Sequence, residues 1–438
     1  MKAVVLNGAQ KNDPTGQRVS NALILALESR GWEIEHVQLC DMKIGNCAGD
    51  FFCWIRSPGI CNVNDSNRLI AKAIADSQLM VYLTPIRFGG YSSALKKMVD
   101  HQIQNVLPYF EKINGETHHR RRYPAYPDFL AIGWMGQPDA QSEAIFRHLA
   151  YRNAINLHAK KMVAGVVLAN QPERETRSSV GQWLEELWDE KRVQGVPRLP
   201  SPNRYAGAAS IQRALLLIGS PRTRKSTSNS LGSYLFEQLK ARNIQTGTIY
   251  IHTTISSAER TKAMLEAVDA ADLVLLAFPL YVDSLPAPVI QALERIASHR
   301  EAQGKLRPQW FCAIVNCGFP EPNQNATALA ICENFARLSE FQWAGSLALG
   351  AGEGMVHGAP LNELDGRVTP LKKALDLAAG SLAQGMAIPS EAQALLAKPF
   401  IPGWLYRTMG VYGWRQQAKQ YGAEKLIGRR PYEITASG

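Results

Sequence analysis

The segment GSPRTRKSTSN, Gly219 to Asn229, follows directly on the apolar run that ends at Ile218 and gathers hydroxyl, amide and cationic side chains into one loop. Ser220, Ser226, Ser228 and Asn229 offer neutral hydrogen-bonding groups, and Arg222 offers a planar fork of donors. Gly219 permits a tight exit from the run before it. A new helical pattern starts within the loop, and the free N–H groups and dipole at a helix N-terminus favour an anion. The spacing matches neither the triphosphate loop G-x-x-x-x-G-K-[ST] nor the dinucleotide fingerprint G-x-G-x-x-G, so a monophosphate is the expected ligand. A helix cap uses one such hydroxyl, and this loop has several. Two other groups could do chemistry. Cys40, Cys47, Cys53 and Cys61 lie close together in the sequence but without the close pairs that zinc favours, and no metal is expected there. The run His118, His119, Arg120, Arg121, Arg122 is expected to be a solvated basic loop.

The elements that must position these residues occur twice, in the same order. Near-continuous apolar runs in the first half are AVVLNG (3–8), LMVYLTP (79–85), FLAIGWMG (129–136) and MVAGVVLA (162–169). Those of the second half are ALLLIGSP (214–221), DLVLLAFP (272–279), FCAIVNCG (311–318) and WAGSLALG (343–350). Weaker alternating runs, 34–39 and 246–251, fill the second slot of each set. Such runs suit strands buried on both faces, and helical patterns between them imply parallel sheets covered on both sides. The fold class is therefore α/β: two tandem, doubly wound, five-stranded parallel sheets, ordered 2-1-3-4-5. The expected organisation is a first domain over 1–195 with a cysteine-bearing insertion, a linker over 196–210, a second domain over 211–385 and a C-terminal helical extension over 386–438. In such a sheet, ligands bind beyond the carboxyl ends of the strands at the switch point beside the first strand. That is where the loop after Ile218 falls.

With the loop and its setting in place, the second half resembles the flavodoxin-like NAD(P)H-dependent FMN reductases. LLLIGSPRTRKSTSNSL is similar to their phosphate loop, FPLYVDSLPAPVIQALE to the segment bordering the isoalloxazine ring, and VNCGFPEPNQN to the third flavin loop. The resemblance implies FMN held by Ser220, Arg222, Ser226, Ser228 and Asn229, with Pro279, Leu280, Tyr281, Val282 and Asp283 along the ring and Asn316, Cys317 and Gly318 nearby. The first half resembles the same superfamily with departures: Ala9 and Gln10 stand where Ser and Arg are usual, and Thr15 is the remaining donor. TPIRFGGYSSALKKMVD is a good match to the ring loop and implies contacts from Pro85, Ile86, Arg87, Phe88 and Gly89. The segment KIGNCAGDFFCWIRSPGICNVNDS, 43–66, resembles one in iron–sulfur flavoproteins and their cluster-free relatives, with Asp50 at the position of one cysteine.

The resemblance implies an FMN-dependent oxidoreductase that takes hydride from NADH or NADPH and passes electrons to a quinone, a flavin, or a nitro or azo compound. The alternative is a flavin-binding electron carrier or a degenerate scaffold without catalysis. It also implies that the two halves can form the family's dimer within one chain, with a further homo-oligomer open. The chain has 438 residues and a formal charge of +10. The basic residues are spread along most of it, so neither nucleic acid nor a membrane is an expected partner. No apolar run reaches the about 18 residues of a membrane span, and seven cysteines fit a reducing compartment, so the cytoplasm is expected. The aromatic, basic segment 400–422 is expected to pack on the rest of the chain.

Overall fold

The structure is a computed structural model, and it describes residues 1–189, 195–201, 210–304, 306–364 and 366–433. The chain divides into two compact units, Met1–Leu199 with Trp404–Gly438, and Pro200–Gly403. Most of the segment 196–210, expected as a linker, lies outside the described residues.

The first unit contains strands β1 (Lys2–Asn7), β2 (Glu33–Gln38), β3 (Leu79–Pro85), β4 (Val106–Ile113), β5 (Glu116–Arg121), β6 (Asp128–Met135) and β7 (Met162–Leu168). Its parallel sheet is ordered β2-β1-β3-β6-β7, and β4 and β5 pair separately as an antiparallel hairpin. The second unit contains β8 (Arg213–Ile218), β9 (Gln245–Tyr250), β10 (Leu273–Pro279), β11 (Trp310–Asn316) and β12 (Gln342–Leu349), ordered β9-β8-β10-β11-β12. Both five-stranded sheets therefore have the order 2-1-3-4-5, the doubly wound, flavodoxin-like α/β arrangement.

Burial explains why the runs read as they do. Residues Leu273 to Phe278 of β10 are all buried, because helices cover both faces of the central strands. Each fully buried Leu or Val contributes about 1.5–3 kcal/mol. The edge strand β9 is exposed along most of its length, which is why its run is weak and alternating.

The hairpin changes one expectation. The cluster at 118–122 is largely strand and only partly solvated: Arg120 and Arg121 are exposed, but His118 and Arg122 are each 1% exposed, and β5 pairs with β4 through Glu111↔His118 and Phe110↔His119. Asn114 and Gly115 turn the hairpin, both with positive φ. Arg122 donates from Nη1 to the carbonyls of Ile427 (2.9 Å) and Arg429 (2.7 Å), and from Nη2 to that of Val106 (3.1 Å). These bonds replace the water that a buried guanidinium loses.

The expected extension 386–438 is divided between the units. Helix Ser390–Leu396 packs in the core of the second unit, through Ala392 and Leu396. Residues from Trp404 onward join the first, where Trp414, Ala418, Ala423 and Ile427 cluster with Phe51, Phe52, Cys53, Trp54 and Ile55.

Candidate functional site

The two strand exits superpose in logic when aligned by hydrogen bonds. Gly8 N–H donates to the Leu83 carbonyl, and Gly219 N–H to the Ala277 carbonyl, each at 2.8 Å. A side chain at either glycine is excluded: a Cβ at Gly8 would lie 2.7 Å from Leu95 Cβ, and one at Gly219 would lie 2.5 Å from Val289 Cγ2. The ring loops correspond in the same way. Arg87 and Gly90 exchange both backbone hydrogen bonds (2.9 and 2.7 Å), as do Tyr281 and Ser284 (2.9 and 3.1 Å). Their central pairs, Phe88–Gly89 and Val282–Asp283, all have positive φ. This is the mirror-image two-residue hairpin, which normally selects Asn or Gly. A valine with φ of 41° is strained there. Ile86 N–H and Leu280 N–H then donate to Trp134 and Asn316 carbonyls respectively, each at 2.8 Å. Pro85 pairs with Trp134 in register, and Pro279 with Asn316, so Trp134 and Asn316 hold equivalent places.

In the second unit, the serine hydroxyls of the 219–229 loop are bonded to the loop's own backbone and to Asn316. Ser226 caps helix Thr227–Lys240: its Oγ accepts from Asn229 N–H (3.2 Å) and donates to the Thr223 carbonyl (2.6 Å). Ser220 Oγ accepts from Arg222 N–H at 3.3 Å. Ser228 Oγ accepts from Asn316 Nδ2 at 2.9 Å. Asn229 donates to the Arg224 carbonyl (3.2 Å) and accepts from the Tyr250 hydroxyl (3.0 Å).

The group that faces the loop is a carboxylate. Glu353 accepts from Arg222 Nη1 at 2.8 Å, from Arg222 Nη2 at 2.6 Å and from Thr227 Oγ1 at 3.4 Å. Burial opposes its ionisation, but the Arg222 guanidinium outweighs that and holds the carboxyl below the usual carboxylate range. Thr227 lies within the sequence-derived loop, and Glu353 is outside it. Nothing local in the sequence ties residue 353 to residue 222. Cys317 is buried, and its thiol is pushed up to about 12 by burial, so it is a protonated thiol lodged against the Phe319 carbonyl (3.4 Å).

The first unit has a different solution at the equivalent place. Asp13 caps helix Pro14–Glu28: Oδ1 accepts from Thr15 N–H and Gly16 N–H, each at 3.0 Å, and Oδ2 accepts from the Trp134 indole at 2.9 Å. Thr15 is buried, and a Cβ at Gly16 would meet Trp134 at 2.9 Å. Lys11, the cation of this loop, pairs with Asp41 at 2.8 Å.

A third locus is a small cavity lined by Cys47, Asp50, Cys53, Cys61 and His101, among others. Burial, then neighbouring Asp100, pushes Cys47 up to about 12, and burial also raises Cys53 and Cys61. Cys61 Sγ lies 3.6 Å from His101 Nδ1.

These features define a flavodoxin-like fold with a paired strand exit and ring hairpin in each unit. The sequence matches the family described as NADPH-dependent FMN reductase over residues 1–124 and 213–313, slightly more than half of its length, and the chain belongs to that family. An iron-sulfur flavoprotein of Archaeoglobus fulgidus is 25% identical over 109 residues, 25% of this chain and 47% of that protein. One of Methanocaldococcus jannaschii is 25% identical over 100 residues, 23% of this chain and 51% of that protein. The chain thus spans about half the length of the curated relatives it matches. Among solved structures, an FMN-dependent NADH-azoreductase from Bacillus anthracis has a TM-score of 0.28 at 15% identity, over 39% of this chain and 99% of that one. An NAD(P)H:quinone oxidoreductase from Methanothermobacter marburgensis has a TM-score of 0.27 at 14% identity, over 40% and 98%.

The residues of each unit can be tested against the groups these relatives suggest. The second unit suits the FMN phosphate in chemistry: a guanidinium and a hydroxyl already grip an anionic oxygen pair there. The first does not, because Asp13 puts negative charge on the helix N-terminus where a phosphate would bind. The thiol cavity does not suit a cluster. Asp50 turns its Oδ1 to Phe52 N–H (3.0 Å), and among the described residues no group of three His, Cys, Asp or Glu side chains is arranged to hold a metal ion. No helix among the described residues is long and apolar enough to cross a membrane.

Proposed function

We propose that the chain is an FMN-dependent oxidoreductase whose working flavin site is in the second unit. The observation that carries this reading is the bidentate grip of Arg222 on an anion, at the switch point of a sheet that belongs to the FMN reductase family. Arg222 and Thr227 would hold the phosphate, and the N-terminal end of helix Thr227–Lys240 would favour its charge. The hairpin 279–283 would border the ring. Its turn is fixed by two backbone hydrogen bonds, so the loop is preorganised and little entropy is lost on binding. Tyr281 would stack on the ring or donate to it. Asn316 fixes the third loop, through Ser228 Oγ and the Phe278 carbonyl (3.2 Å).

When bound, FMN supplies hydride acceptance from NADH or NADPH and electron delivery to a small-molecule acceptor, a quinone, a flavin, or a nitro or azo compound. The chain's own residues bind, orient and exclude water. With its thiol protonated, Cys317 is no nucleophile.

One observation favours the rival, a scaffold without flavin: both units present a carboxylate at the phosphate position. Arg222→Ala decides between them. The substitution removes a charge-assisted hydrogen bond of about 1.5–3 kcal/mol, so FMN affinity should fall roughly tenfold or more while riboflavin affinity is unchanged. Fluorescence quenching on folded variants measures the ratio. An unchanged ratio removes the phosphate role from Arg222.

A further inference from the structure

We propose that the loop of the second unit is an anion-exchange site: Glu353 is its resident anion, and a phosphate monoester displaces it. The identity of that monoester as FMN rests on the function proposed above; the exchange itself does not.

The contact is built from both sides. Glu353 belongs to the short helix Gly352–Val356, which lies directly on the loop. A Cβ at Gly358 would come within 2.7 Å of the Lys225 carbonyl oxygen and 3.2 Å of Ser226 N. A Cβ at Gly352 would come within 2.9 Å of Asn316 Cβ and 3.3 Å of Thr227 Cγ2. Glycine at both points lets the segment settle on the loop and deliver its one acid to Arg222. His357 closes the group, with Nδ1 at 3.2 Å from Glu353 Oε1.

What can move is the Glu353 side chain and not the segment, because Ala351 N–H and Gly352 N–H bond the Phe319 (2.6 Å) and Cys317 (3.0 Å) carbonyls and Val356 is buried in the core. Ala351 and His357, on either side of the helix, have φ of 54° and 49°, conformations that non-glycine residues rarely hold without strain. The pair is also open to solvent, with 37% of the Arg222 side chain and 30% of the Glu353 side chain exposed. Because about a third of each side chain meets solvent, an incoming anion can reach Arg222 and compete with Glu353 for the same two N–H groups.

A phosphate monoester is the better occupant. It carries close to two negative charges and three acceptor oxygens, against one charge and two oxygens for a carboxylate. Arg222 accepts either through the same two N–H groups. Displacement then swings the Glu353 carboxylate away from Arg222 and Thr227 while the segment's backbone stays bonded. Glu353 thereby sets a threshold: ligands without a strong anion leave the carboxylate in place.

The test uses the full chain as wild type, Glu353→Gln and Glu353→Ala, with unfolding curves to show that the variants fold. Glutamine keeps the size and removes the charge. FMN should bind Glu353→Gln about tenfold more tightly than wild type, while riboflavin binds both equally, and adding Arg222→Ala should abolish the gain. Equal FMN affinity in wild type and both variants overturns the exchange and leaves the flavin assignment standing. If no protein binds FMN but inorganic phosphate raises the melting temperature of wild type, and that of Glu353→Gln at lower concentration, the exchange stands and the flavin assignment falls. If neither FMN nor inorganic phosphate distinguishes the variants from wild type, the exchange is overturned.

Discussion

The loops Ala9–Asp13 and Ser220–Ser226 leave equivalent strands, enter equivalent helices and end at a cap residue, yet they bring negative charge to the helix start in different ways. In the first unit the carboxylate is the cap itself. Asp13 bonds two backbone N–H groups and the Trp134 indole, so it cannot leave without uncapping the helix. In the second unit Ser226 caps, and the carboxylate arrives from Glu353, held only by side chains. An anion built into a cap is structural; one delivered by a separate segment can exchange. The same duplicated framework can thus hold one site shut and leave its copy addressable.

Three experiments break or sharpen this comparison. The largest effect concerns acid, because only the first unit carries the buried hairpin. Burial pushes His158 down to about 4 and His119 down to about 3, with the charges of neighbouring basic groups adding to it. An unfolded histidine titrates near 6.5, so between 6.5 and about 4 the unfolded chain takes up protons that the folded chain refuses. Their stabilisation is complete above 6.5 and is lost as pH falls, by up to about 1.4 kcal/mol per pH unit for each group. Urea unfolding of the full chain at pH 7.5 and 5.5 should show that loss. His158→Gln, which retains a donor toward the His119 carbonyl, should flatten the pH dependence.

A smaller effect is expected at Asp13. Asp13→Ala should lower stability by about 1–2 kcal/mol through the lost cap and leave FMN affinity unchanged. A gain of FMN affinity would show that the first unit is also an exchange site and that the contrast with Glu353 is false. The smallest expected effect is in iron. Anaerobically purified protein should contain no stoichiometric iron or acid-labile sulfide, since Asp50 stands in place of a thiolate in the cavity and its Oδ1 is taken by the Phe52 N–H. Near-stoichiometric iron would give the first unit a redox function that its phosphate loop does not suggest.

Much of the framework was legible in the chain itself. Strands buried on both faces must be written as continuous apolar runs, so β1, β3, β6 and β7 and their counterparts β8, β10, β11 and β12 could be read and paired by order. Strands β2 and β9, each at one edge of its sheet, could be read only as weak alternation, since they are largely open to water. The hairpin β4–β5 was missed, although Asn114-Gly115 is a strong turn signal, because its strands carry Glu111, Lys112, Glu116 and three consecutive basic residues after two histidines. Of these charged residues Arg122 is buried, and its burial depends on the Ile427 and Arg429 carbonyls, far away in the chain.

The sequence by itself determined the duplication, the strand order and the chemistry of the 219–229 loop, because hydrophobic periodicity and residue type act over a few neighbouring positions. Only the tertiary structure decided which of those polar groups bond one another and which face a ligand. It turned Ser226, Ser228 and Asn229 inward, left Arg222 outward and set Glu353 against it. The physical reason is reach: a hydrogen bond is satisfied by whichever partner the fold brings within about 3 Å, and that partner can lie anywhere in the chain.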